Sequence, residues 1–232
     1  DSKMKKIFTQ LFQRQSKQQA CIVLIGDDIH SLSQVCIEQH KHKAMHVYQV
    51  LHDAKQNSVK IECQNSELTL VYLNLINQMA LKDLMQHIRQ QAHQIELCIF
   101  QPSFHSHPPK ETDFTQQIEQ QWQNTGLSAV SVSQIMIKQM LHQQGGTLIF
   151  LGGQPTMAAH VDLLSQSMFA GIRALSQSLA REFHPKGIHI AYCMLPDWDS
   201  QNKSLMTSVQ NLCWHIYQQP ESTWSQELSM NI

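Results

Sequence analysis

Charge is scarce in this sequence: only 15% of its 232 residues are Asp, Glu, Lys or Arg. Seventeen basic against eighteen acidic residues leave a formal net charge of −1. No basic run breaks that balance, so the electrostatic footprint that nucleic-acid binding needs is missing. Gln and His supply the polarity instead, as in Gln116-Gln117-Ile118-Glu119-Gln120-Gln121. No apolar run approaches the roughly 18–20 residues that span a bilayer, and no signal-peptide pattern is present, so no membrane role is expected. Cysteine pairs of the C-x-x-C kind are absent too. The six cysteines (Cys21, Cys36, Cys63, Cys98, Cys193, Cys213) are scattered, several within apolar runs such as Cys21–Ile25 and Glu96–Phe100. They read as small buried hydrophobes in a reducing, cytoplasmic setting, not as disulfides or a zinc site. No repeat, linker or low-complexity boundary divides the chain, so one domain is expected.

What is present has a regular order. Met4, Ile7, Phe8, Leu11 and Phe12 recur at helical spacing, which predicts an amphipathic helical extension over residues 1–19 that packs on the domain or a partner subunit. Residues 20–232 then alternate strand and helix patterns. Strands are expected at Ala20–Ile25, Ala44–Leu51, Val59–Cys63, Leu68–Leu73, Ile95–Phe100, Thr147–Leu151, Ile188–Leu195 and Trp224–Met230. Helices are expected at Val35–His42, Ala80–Ala92, Asp113–Gln143, Leu163–Phe183 and Leu205–Gln218, with Gly145-Gly146 ending the third. This alternation implies an α/β fold: a three-layer, Rossmann-like, doubly wound parallel sheet in a single domain.

Three stretches carry a family resemblance. Gly145–Gly153 is similar to the central strand of short-chain dehydrogenases/reductases, and Phe169–Glu182 resembles their long catalytic helix. Gly187-Ile188-His189-Ile190-Ala191, followed by Pro196, matches their strand and Pro-Gly loop. The resemblance covers about residues 20–230. It implies a NAD(P)-dependent oxidoreductase, a dinucleotide held at a glycine-rich turn, and a homodimer through the helices near 130–140 and 163–183.

The residues that would do this work are replaced. The family's T-G-x-x-x-G-x-G loop aligns with Ile25-Gly26-Asp27-Asp28-Ile29-His30-Ser31-Leu32, where only Gly26 survives; His30 and Leu32 stand at the other two glycine positions. Side chains there are expected to fill the space of phosphate oxygens, and Asp27 and Asp28 add negative charge beside an anion site. Read without the resemblance, the run is a strand-to-helix turn with Asp as N-cap. The residue that selects between NAD and NADP falls near Val50, Leu51 and His52, with Asp53 just beyond. Asn-Asn-Ala-Gly, which lies beneath adenosine, becomes Phe100-Gln101-Pro102-Ser103, and an adenine-touching Asp becomes Asn74. The catalytic Tyr and Lys align with Ser165 and Phe169, the substrate-orienting Ser with Gly153, and the Asn of the proton relay with Thr125 beside Asn124. No Tyr lies between Tyr72 and Tyr192. The expected cofactor is therefore none, with NAD or NADP if the family function is retained.

Other constellations carry less. His40, His42 and His46, and His105 and His107, lack Cys or carboxylate neighbours at ligand spacing, so no metal is expected. His160, Tyr192 and Asp197 could form a new polar site, and Ser165–His160–Asp a nucleophilic one, but no G-x-S-x-G elbow exposes a serine. The reading that results is a degenerate family member acting by binding, with an unknown protein or small-molecule partner. The alternatives are an oxidoreductase with an atypical site and a non-redox enzyme in the old cleft.

Overall fold

The computed structural model describes residues 18–40, 43, 45–102, 114–153, 163–196 and 198–230. The expected N-terminal helix lies outside them. Eight strands and six α-helices follow in the order β1 (Gln19–Ile25), α1 (His30–His40), β2 (His46–His52), β3 (Lys60–Cys63), β4 (Leu68–Leu73), α2 (Gln78–Gln90), β5 (His93–Phe100), α3 (Phe114–Trp122), α4 (Ser128–Gln143), β6 (Gly146–Gly153), α5 (Leu163–Phe183), β7 (Ile188–Leu195), α6 (Lys203–Tyr217) and β8 (Glu227–Ser229). All eight strands join one sheet in the order β3-β4-β2-β1-β5-β6-β7-β8.

The sheet is buried on both faces, which is why β1 reads as an unbroken apolar run. Cys21, Val23 and Ile25 join a core with residues of α2, α4 and α5, including Leu84, Met136 and Ile172. Ile22 and Leu24 point the other way, into a core with Leu32 and Val35 of α1 and Met206 and Val209 of α6. Among the described residues this is a single three-layer α/β domain. The chain leaves β1 toward β2 on one side, while β5 pairs with β1 on the other. The switch point, where open α/β sheets form their ligand crevice, is therefore at the carboxyl ends of β1 and β5.

Four details depart from the sequence expectations. β3 pairs antiparallel with β4, the one exception in an otherwise parallel sheet. Only residues 64–67 join them, and a parallel connection needs a crossover of about a dozen residues or more. Asn65 fixes the turn, its Oδ1 accepting from Glu67 N at 2.8 Å and Leu68 N at 2.9 Å. Second, α1 begins at His30, so Ile29 and not an Asp takes the position before the helix. Third, the helix expected over 113–143 contains a π-turn at Gln123–Leu127. The Trp122 ring lies against the Gly126 α-carbon; a Cβ there would come 2.5 Å from its Cζ3. Fourth, the left-handed residue that ends α4 is Gln144, φ 63°, rather than a glycine, and Gly145 N returns to Met140 O at 3.0 Å.

Candidate functional site

The β1–α1 turn is tied into the sheet on both sides. Gly26 N donates to Val50 O at 3.1 Å, and Gln101 N donates to Ile25 O at 2.8 Å. Gly26 has no room to spare: a Cβ would overlap Gln101 Oε1 and lie 2.7 Å from Gln101 O and 2.9 Å from Ile29 Cγ2. The crowding thus comes from Gln101 and Ile29. His30 is exposed and Leu32 is buried in the core beneath α1, so the side chains at the two lost glycine positions do not themselves close on Gly26. Asp27 is exposed and Asp28 half-buried at the turn. Gln101 is 2% exposed, its Nε2 donates to Pro102 O at 2.6 Å, and its Oε1 has no hydrogen-bond partner.

The rim beside β2 is stitched by side chains. His52 Nδ1 accepts from Leu75 N at 3.3 Å, and its Nε2 meets Asn124 Oδ1 of the π-turn, also at 3.3 Å. Asp53 turns its carboxylate back to Lys55 N at 3.0 Å, a local turn contact. Asn74 Nδ2 donates to Ala54 O at 3.3 Å, and Asn77 Nδ2 donates to Asn57 O at 3.0 Å. The loops after β2 and β4 are thereby joined.

The four positions aligned by the resemblance with the family's catalytic residues are Ser165, Phe169, Gly153 and Thr125. Ser165, in the first turn of α5, receives Gln121 Nε2 at 2.8 Å. Phe169, one turn on, is 7% exposed. Gly153 ends β6 opposite Leu195, and half-buried Pro196 follows β7. Thr125 is 2% exposed with Oγ1 unpartnered. The next residue on the same row of α5 is Arg173, whose guanidinium grips Glu227 with Nε at 2.7 Å and Nη2 at 2.6 Å. Glu227 also accepts from Gln177 Nε2 at 2.9 Å, which holds β8 against α5.

Tyr192 is the phenol of this region, and it is sealed. It is 1% exposed, its hydroxyl donates to Phe169 O at 3.5 Å, and a Cβ on Gly152 would overlap that hydroxyl. Burial pushes its ionisation far above the usual phenol range, outweighing the opposite pull of Arg173. His160 and Asp197, proposed with it as a polar site, lie outside the described residues. So do His42, His105 and His107. Among the described residues no three of His, Cys, Asp or Glu are arranged to hold a metal. Five of the six cysteines are buried and all are free; Cys63 is exposed.

Sequence reasoning missed a second histidine group, at the opposite, amino-terminal edge of the sheet. His46 Nδ1 donates to Ser66 O at 3.1 Å and Nε2 faces Thr69 Oγ1 at 2.9 Å, while the Tyr48 hydroxyl meets His93 Nδ1 at 2.8 Å. The His46 and His93 rings are 4.8 Å apart. Burial is the main cause that holds His46, His87 and His93 below the ordinary imidazole range. The available signal was the period-2 row His46, Tyr48, Val50, His52, which puts four residues on one face of β2.

The fold is shared widely. A short-chain dehydrogenase from Rhodopseudomonas palustris superposes with a TM-score of 0.71 at 17% identity, covering 91% of this chain and 98% of that one. One from Leptospira borgpetersenii with bound NAD+ has a TM-score of 0.71 at 15% identity, covering 91% of each chain. A Brucella ovis oxidoreductase with a partially ordered NAD has a TM-score of 0.67 at 11% identity, covering 92% of this chain and 100% of that one. No curated protein matches. The family profile described as short chain dehydrogenase matches residues 16–208, so the chain belongs to the short-chain dehydrogenase family.

Proposed function

We propose that this chain has given up nicotinamide-dependent redox chemistry and acts as a binding protein on a retained short-chain dehydrogenase scaffold. One observation carries the reading: among the described residues no acid of suitable strength faces the crevice where the family's phenol and ammonium would act. Reduction of a carbonyl needs a proton donor for the developing alkoxide. Ser165 offers an aliphatic hydroxyl, a far weaker acid than a phenol, and the Phe169 side chain carries no cation to activate it. Tyr192 cannot substitute while its hydroxyl stays buried on a backbone carbonyl.

The dinucleotide is a poor fit to the residues present. Two carboxylates, Asp27 and Asp28, stand at the turn where a diphosphate would need positive potential. Gln101 Oε1, an acceptor without a partner, would meet phosphate oxygens that also only accept. The NAD held by the Brucella ovis and Leptospira borgpetersenii proteins favours a second reading, an oxidoreductase with an atypical site. A non-redox enzyme built on Ser165 and Tyr192 has less behind it, because the Tyr192 hydroxyl is buried on a backbone carbonyl, which takes no proton.

The binding form is a homodimer through α4 and α5, with a protein or small-molecule partner beyond it. The exposed residues of α5 ahead of its last turn are Ser167, Ala170, Gly171, Ala174 and Ser178, small side chains that let a second helix approach closely; Arg181 and Glu182 follow them. Titration with NADH and NADPH, followed by nicotinamide fluorescence, decides between the first two readings. No binding is expected; a micromolar Kd for either restores the oxidoreductase reading.

A further inference from the structure

The crevice of a doubly wound sheet opens outside the carboxyl ends of its strands. On the β2 side of that crevice stands His52, the last residue of β2. Its Nδ1 accepts from the N–H of Leu75, which follows β4. Because that nitrogen accepts, the neutral ring carries its proton on Nε2 and donates it to Asn124 Oδ1. The two partners belong to different layers: Leu75 to the sheet rim, Asn124 to the π-turn between α3 and α4. Leu75 is 2% exposed, as is Thr125 beside Asn124, while His52 and Asn124 are themselves half-buried. Asn74 and Asn77 reinforce the same rim through Ala54 O and Asn57 O.

A flat ring with a lone pair on one side and an N–H on the other is what a heteroaromatic ligand base offers a protein. Here the protein supplies that ring itself. We infer that His52 is an internal stand-in for a ligand's heteroaromatic base, filling the β2 side of the crevice and occupying the backbone donor and amide acceptor such a base would need. This rests on the reading that the crevice takes no dinucleotide, and it names the residue that occupies the base position. It also predicts what a plain loop tie would not: the imidazole can be removed and returned from solution.

The test uses His52→Gly, with His52→Ala beside it. Neither imidazole nor adenine binds the wild type in calorimetry. His52→Gly loses thermal stability, and free imidazole restores it, by about 3–6 °C in Tm at roughly ten times its Kd. 1-Methylimidazole, which keeps the acceptor nitrogen but has no N–H for Asn124, does not. Adding Asn124→Leu weakens imidazole binding about five- to tenfold. Equal rescue by 1-methylimidazole, or none by imidazole in a folded variant, overturns the inference. If neither variant folds, side-chain 15N shifts of the wild type decide it: an Nε2-protonated His52 supports the assignment, and an Nδ1-protonated one overturns it. NADH binding to the wild type refutes both this inference and the functional reading. Failure of imidazole in a protein that ignores NADH refutes this inference alone.

Discussion

Four histidines, His46, His87, His93 and His189, sit where burial disfavours the imidazolium. His189 stacks on Trp224 with ring centroids 4.8 Å apart, its Nε2 meets Ser225 O at 3.0 Å, and its Nδ1 is unpartnered. Their folded-state pKa values lie below the ordinary 6.5, so the unfolded chain binds more protons on acidification. Stability is then fully present above about pH 6.5 and is lost as pH falls through the folded values. The urea midpoint should drop between about pH 7.5 and about pH 5.5, and less so in His93→Gln; a flat profile would contradict the burial argument. Placing the family's Tyr and Lys at the positions aligned with them is a second test of the proposed function at this scale. Ser165→Tyr with Phe169→Lys should not yield NADH-dependent reduction, because the turn around Gly26 is unchanged. The Lys also enters a site where Phe169 is 7% exposed, so a stability loss of a few kcal/mol is expected.

Among the elements, β8 depends most on a single interaction. It is three residues long and pairs with β7 only at Glu227, Leu228 and Ser229. The two-pronged Arg173 contact and Gln177 both hold Glu227, so α5 supplies the hold that so short a strand lacks. Arg173→Ala should cost about 1 kcal/mol globally, since the pair is partly exposed. Hydrogen exchange should show a larger local effect: protection lost over residues 227–230, with α5 unchanged. Uniform loss across the sheet would assign the ion pair a different role.

On the scale of the whole molecule, the two cores explain what holds the fold together. Stability comes from apolar surface buried on both faces of the sheet. Assembly is the open quantity at this scale. Light scattering should give twice the 26.7 kDa chain mass. Gly171→Arg should give the monomer, because a Cβ at Gly171 meets nothing within 4 Å in the isolated chain, so the substitution has room to leave from α5 toward a neighbouring subunit. A dimer that survives the arginine would move the interface off α5.

Element type and order follow from local chemistry, so the expectations for Leu163–Phe183 and Ile188–Leu195 agree with α5 and β7 to the residue. Hydrophobic period and Gly or Pro punctuation are properties of neighbouring residues and can be read along the chain. Contact between distant residues does not follow in this way. That Gln101 closes on Gly26, that His52 reaches both Leu75 and Asn124, and that three histidines gather round Tyr48 depend on strand register and helix docking. These join residues as far apart in the chain as Gly26 and Gln101. Only burial of both sheet faces brings them within hydrogen-bond reach, because the register that hides the apolar rows also determines which polar groups meet at their ends.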